Sequence, residues 1–348
     1  MIATHHDFEY PKQFELESGK VLPGFRLRYT TLGRLNADRT NTVWVCHALT
    51  GSSDVTQWWA PLFSEEGIFA PEKYFIICVN TLGGCYGSTG PLSVNPETKK
   101  PYYHDFPQLT TRDVARAFDL LRKHLGLEKI HTLIGGSLGG QQVLQWAILQ
   151  PHVFGHIVPI ACNAFHSPWG IAFNEAQRMA IEADSTWKEN RDDAGCEGLK
   201  AARAIAMLSY RNYTCYGQTQ QGIWHDSNQF KAVTYQRYHG EKLAKRFNAF
   251  TYYVLSRMMD SHQVGTKSDS AEEALGRIQG KTLVIGIDSD ILYPLQEQEY
   301  LASAIPGARL AVLSSLYGHD GFLAEFGQLK QALQHFYSHH TQTLFLYE

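Results

Sequence analysis

Positive charge is neither abundant nor clustered: 31 lysines and arginines stand against 34 aspartates and glutamates, and no basic run marks the 348-residue chain. Attachment to nucleic acid or to a membrane surface needs such a run, so neither partner is expected. Cysteine is sparse. The six, Cys46, Cys78, Cys85, Cys162, Cys196 and Cys215, form no CxxC pair and no repeated ligand spacing. That excludes a recognisable zinc motif and a disulfide framework, leaving reduced and mostly buried thiols. No segment approaches the roughly 18 consecutive apolar residues of a membrane span. The first residues, which include His5, His6, Asp7, Glu9 and Lys12, lack the apolar stretch of a secretory signal. The expectation is a soluble, cytoplasmic protein. A G-x-x-x-x-G-K-[ST] phosphate loop is missing, and no histidine pair has metal-ligand spacing with a third ligand. No metal and no tightly bound cofactor are expected.

What is present is an ordinary globular composition, 44% hydrophobic and 19% charged. Short runs rich in β-branched and aromatic residues, Thr42 to Ala48, Tyr74 to Asn80, His131 to Gly135, His156 to Ala161, Thr282 to Ile287 and Leu310 to Leu313, alternate with helix-like segments. This rhythm indicates a mainly parallel sheet with ligand-binding loops at the strand ends. Phe14 to Glu17 and Phe25 to Thr31 flank Gly19 and Gly24 and read as an antiparallel pair at the sheet edge. Between about Phe165 and Ala274 strand-like runs vanish and helical patterns take over, as in Glu197 to Tyr210 and Ala249 to Met259. The outline is that of an α/β-hydrolase fold: a mainly parallel central sheet with helices on both faces, a core of residues 1–164 and 275–348, and a helical lid inserted over residues 165–274.

Gly135-Gly136-Ser137-Leu138-Gly139 spells G-x-S-x-G between an apolar run and the helix-like QQVLQWAILQ. Such a strand-to-helix turn strains the serine backbone and requires small residues two positions on either side. It leaves the Ser137 hydroxyl exposed to a substrate and the Leu138 N–H free to face a developing oxyanion. A serine needs a base, supplied in this fold in the order Ser, Asp or Glu, His. Asp288 and Asp290 both follow the strand ending at Ile287, and position does not separate them. His319 lies in a G-H-D-G loop beyond the last strand, where a general base belongs. The loop after the first core strand, His47 to Ser53, stands where hydrolase folds supply a second oxyanion N–H, here Leu49.

HALTGSS at 47–53, NTLGGCYGSTGP at 80–91, FPQLTTRD at 106–113, GGSLGGQQVLQWA at 135–147, SDILYP at 289–294 and YGHDGFLAE at 317–325 together resemble the homoserine O-acetyltransferase family. The resemblance implies Ser137 as acyl acceptor, Asp290 rather than Asp288 as the triad carboxylate, and His319 as base. It implies Arg203, rather than Arg211, and Asp320 as substrate contacts. A zwitterionic amino acid suits that pair, a guanidinium for its carboxylate and a carboxylate for its ammonium. The family implies acetyl-CoA as cosubstrate, L-homoserine as acceptor, a ping-pong acyl-serine cycle that opens methionine biosynthesis, and a homodimer joined through the lid helices. Leu138 stands where the family commonly has methionine. Succinyl transfer, a serine acceptor, and an esterase or thioesterase with water as acceptor are the rival readings.

Overall fold

A computed structural model describes residues 3–224, 228–266 and 268–338. Eight strands build the main sheet: β1 (Thr4–Tyr10), β2 (Phe25–Leu32), β3 (Thr42–Cys46), β4 (Phe75–Val79), β5 (Ile130–Gly136), β6 (Phe154–Ile160), β7 (Lys281–Ile287) and β8 (Arg309–Leu313). Their spatial order is β1-β2-β4-β3-β5-β6-β7-β8. From β4 onward neighbours run parallel, while β2 is antiparallel to both β1 and β4. All of β3 is buried and β7 is buried after Lys281, as expected where helices cover both faces. The six core strands stand where the apolar runs place them, to within one or two residues.

The N-terminal edge differs from expectation. Phe14–Glu15 does not pair with β2; it pairs with Val21–Leu22 in a small separate hairpin. The turn closes through Gly19, at φ +76°, whose N–H bonds the Leu16 carbonyl at 2.9 Å. The partner of β2 is β1, Thr4↔Thr31 through Tyr10↔Phe25. In β1 a single side chain, Phe8, is buried, so its polar sequence gives no apolar alternation to read.

Two helices lie beside the bend at Ser137: α1 (Thr111–His124), begun by a capping box between Thr110 and Asp113, and α2 (Leu138–Leu149), buried along nearly its whole length. Between β6 and β7 the chain runs through α3 (Pro168–Glu182), α4 (Cys196–Tyr210), α5 (Tyr213–Thr219), α6 (Lys231–Ala244) and α7 (Ala249–Asp260). One two-residue hairpin, Ile223–Trp224 with Gln229–Phe230, interrupts them. On α4 the inward positions are Leu199, Ala202, Ala206 and Ser209, whereas Leu208 is 51% exposed. The buried Arg178 guanidinium joins α3 to α7 through Asp260 at 2.6 Å. His262 ties this helical segment to the core, one ring nitrogen 2.8 Å from Thr111 Oγ1 and the other 3.0 Å from the Asn163 carbonyl. After β7 come α8 (Leu295–Ala304) and, following β8, α9 (Phe326–Ser338) at the end of the described residues. Among the described residues no helix is long and apolar enough to cross a membrane.

Candidate active site

Ser137 sits at the junction of β5 and α2 with φ 58° and ψ −126°, a conformation a side-chain-bearing residue adopts only when its surroundings enforce it. The enforcement is visible at the flanking glycines. A Cβ on Gly139 would stand 2.1 Å from the Cys46 carbonyl oxygen, and one on Gly135 would meet the Gly139 backbone at 2.7 Å. Strand β3 and helix α2 therefore approach as closely as backbone permits, and the serine is pushed up between them. The Ser137 N–H bonds the Ile160 carbonyl at 2.9 Å, anchoring the bend to β6.

Asp290 and His319 arrive from the loops after β7 and β8. Asp290 Oδ2 lies 2.6 Å from His319 Nδ1, with the two residues 5% and 3% exposed. The other Asp290 oxygen accepts from the Leu292 and Tyr293 N–H groups at 2.8 and 2.9 Å, which fixes the carboxylate plane. Asp288 is exposed and accepts from the Ser315 N–H at 3.0 Å, away from the imidazole. Burial acts to lower the His319 pKa, but the charge and hydrogen bond of Asp290, with the charge of Asp320, outweigh it and raise the pKa above the ordinary value.

Tyr293, fully buried, stands between the imidazole and the start of α2. Its ring stacks on His319 at 5.0 Å between centroids, and its hydroxyl lies 3.5 Å from the Gln141 amide nitrogen. Burial, with nearby negative groups, pushes its phenol pKa well up, so the hydroxyl stays protonated. Phe322 packs edge-on against the same imidazole, 5.5 Å from the His319 ring and so near Gly136 that a Cβ there would stand 2.6 Å from its ring. Trp59 packs edge-on against Phe322 and donates to its carbonyl at 2.9 Å, while the Trp58 indole donates to the Ser52 carbonyl at 3.0 Å.

The loop carrying Leu49 is held by His47. Its Nδ1 lies 2.8 Å from the Ala48 carbonyl oxygen and its Nε2 3.0 Å from the Thr81 backbone nitrogen. A carbonyl accepts and an N–H donates, so the ring is the neutral tautomer protonated on Nδ1. Burial holds its pKa down, to about 4. The Leu49 N–H has no acceptor among the described residues.

Arg203 lies midway along α4, and Arg211 is the residue that caps its C-terminal end. Arg203 Nη1 is buried without a partner, and its guanidinium lies 5.1 Å from the Tyr210 ring, itself 5.7 Å from His319. Asp320, next to His319, pairs with Arg211 at 3.2 Å. Tyr210 feels the charges of both Arg203 and Asp320, so a cation with no hydrogen-bond partner at Nη1 and a carboxylate both lie within electrostatic reach of one ring beside the imidazole. Sequence reasoning passed over His47 and Tyr293, although both stand inside quoted motifs, and set Arg211 aside in favour of Arg203. Their roles depend on which atom each ring or guanidinium reaches, and spacing does not carry that information.

A strained serine at a strand-to-helix bend, with a hydrogen-bonded Asp-His pair from later loops, defines an α/β-hydrolase-fold protein, and the α/β-hydrolase family model matches residues 41–326. The chain is 50% identical over 334 residues to a homoserine O-acetyltransferase of Cyclobacterium marinum, covering 96% of this chain and 95% of the relative. It belongs to the homoserine O-acetyltransferase family. Among solved structures, a Bacillus anthracis homoserine O-acetyltransferase superposes with TM-score 0.90 at 22% identity, covering 99% of this chain and 100% of that one. A Corynebacterium glutamicum acetylester hydrolase superposes with TM-score 0.85 at 23% identity over 96% of both chains. Fold alone therefore does not choose between transfer and hydrolysis.

Proposed function

We propose that the chain is a homoserine O-acetyltransferase that carries the acetyl group on Ser137. Family membership supports the assignment, and the observation that carries it against the hydrolase reading is the buried, partnerless Arg203 nitrogen, whose charge reaches the same tyrosine as that of Asp320. Water as acceptor needs no cation and no carboxylate; a zwitterionic amino acid needs both.

In the first half-reaction His319 takes the Ser137 proton as the oxygen attacks the acetyl-CoA carbonyl. The Leu49 and Leu138 N–H groups receive the oxyanion, and the thioester bond breaks as His319 returns the proton to the departing sulfur. In the second half L-homoserine enters with its carboxylate on Arg203 and its ammonium on Asp320. His319 now takes the γ-hydroxyl proton, the new oxygen attacks the acetyl ester, and Ser137 leaves with that proton. The helices of residues 165–274 act as a lid that keeps water scarce during transfer. The exposed Leu208, Tyr213, Val233 and Tyr238 on these helices support a homodimer docked through the lid.

Thiol release from acetyl-CoA, followed with and without L-homoserine, tests the assignment. Release that depends on homoserine and yields O-acetylhomoserine is expected. Equal release in both cases, with free acetate as product, would make the chain a thioesterase. Succinyl-CoA and L-serine run in parallel establish donor and acceptor.

A further inference from the structure

Arg211 caps the C-terminal end of α4, where the backbone turns extended at φ −113° and ψ 175°. From there its guanidinium reaches the histidine loop, with Nη2 3.2 Å from Asp320 Oδ2 and its carbon 5.2 Å from the Tyr317 ring. The neighbouring Asn212 side chain donates to the Leu316 carbonyl at 3.2 Å. Gly318, at φ +60°, lies so close beneath that a Cβ there would be 3.1 Å from the Tyr210 carbonyl oxygen. The end of the lid helix is thus seated directly on the loop that presents His319 and Asp320.

The ion pair is not arranged for maximum strength. An arginine and a carboxylate gain most from two parallel bonds, yet Arg211 Nε is buried without a partner and no hydrogen bond engages Asp320 Oδ1 among the described residues. A single tie fixes the side-chain rotamer and leaves one carboxylate oxygen free. That free oxygen belongs to the residue adjoining the catalytic imidazole.

We propose that Arg211 is a positioning residue for the acceptor half-reaction, holding the Asp320 carboxylate where its unoccupied oxygen receives the ammonium of an α-amino acid. The proposal rests on the reading of Asp320 as the ammonium contact. It makes Arg211 a determinant of selectivity for amino alcohols bearing an α-amino acid over alcohols that lack the amine.

The test compares Arg211→Gln, Arg211→Lys, Asp320→Asn and the double variant Arg211→Gln/Asp320→Asn with the parent enzyme. Arg211→Gln is expected to raise the KM for L-homoserine about tenfold, the scale of one charge-assisted contact. Arg211→Lys recovers part of the loss. The burst of nitrophenol from p-nitrophenyl acetate, which reports acetylation of Ser137, keeps its amplitude in Arg211→Gln, and turnover of 4-hydroxybutanoate, which has no amine, is unchanged. The double variant is no worse than Asp320→Asn, because Arg211 acts through the aspartate. Penalties that add in the double variant, or a burst lost together with homoserine binding, overturn the proposal in favour of a role in folding. A raised KM in Asp320→Asn with a normal KM in Arg211→Gln also overturns it. An unchanged KM in Asp320→Asn refutes the reading of Asp320 itself.

Discussion

His47 Nδ1 donates to the Ala48 carbonyl, and because carbonyl and N–H point opposite ways across one trans peptide, that bond also sets the direction of the Leu49 N–H. The Gly51 N–H bonds the same oxygen at 2.8 Å, so the peptide is fixed from two sides and further polarised. His47→Ala removes one tie and the anchor to Thr81. Losing an oxyanion donor outright costs about a hundredfold to a thousandfold in kcat, so a misaimed one should cost about tenfold to a hundredfold, with little change in KM. Steady-state kinetics of acetylation check this; an unchanged kcat would separate His47 from the oxyanion site.

In the proposed mechanism the Asp290–His319 pair sets the acid limb of activity. A base works only when neutral, and the His319 pKa is raised from 6.5, so activity should fall as pH drops through a value above that of free histidine. Asp290→Asn should cost about ten-thousandfold in kcat through the lost tautomer and charge. It should also move the limb to lower pH. A pH–rate profile whose limb stays in place in the variant would contradict this.

Buried neutral histidines predict acid sensitivity of the fold. Burial lowers the pKa of His47, His131 and His166 from 6.5 to about 4, and of His262 to about 3. A depressed folded-state pKa means the unfolded chain binds protons first as pH falls, so this stability is complete above 6.5 and drains toward about 4. The urea midpoint should be lower at pH 5 than at pH 7. His262→Gln should shrink the difference.

Gly139→Ala should abolish the folded elbow. The added carbon meets a backbone oxygen at 2.1 Å, and backbone on both sides leaves nothing flexible to yield. A loss of more than about 4 kcal/mol is expected, seen as insoluble protein or a collapsed melting temperature. A normally stable variant would show that β3 and α2 are not in such close contact.

The core strands and the elbow were legible because each stated itself locally: β3 as Val43-Trp44-Val45 with no polar interruption, the bend as glycines at fixed offsets from Ser137. Strand β1 was not, since its partner β2 supplies the order that its own polar side chains do not signal. The hairpin at Ile223–Trp224 is too short for any periodicity to register. Asp290 and Asp288 were inseparable by position alone; their burial and partners distinguish them, and burial is a tertiary property. The Arg211–Asp320 pair joins residues more than a hundred positions apart and left no trace in either segment.

Intact-mass and peptide mass spectrometry after brief exposure to acetyl-CoA test the central claim most directly. One acetyl group should be found on the peptide containing Ser137, absent in Ser137→Ala, and discharged as O-acetylhomoserine when L-homoserine is added. An enzyme that makes O-acetylhomoserine with no adduct on Ser137, or with the same adduct in Ser137→Ala, would contradict the account.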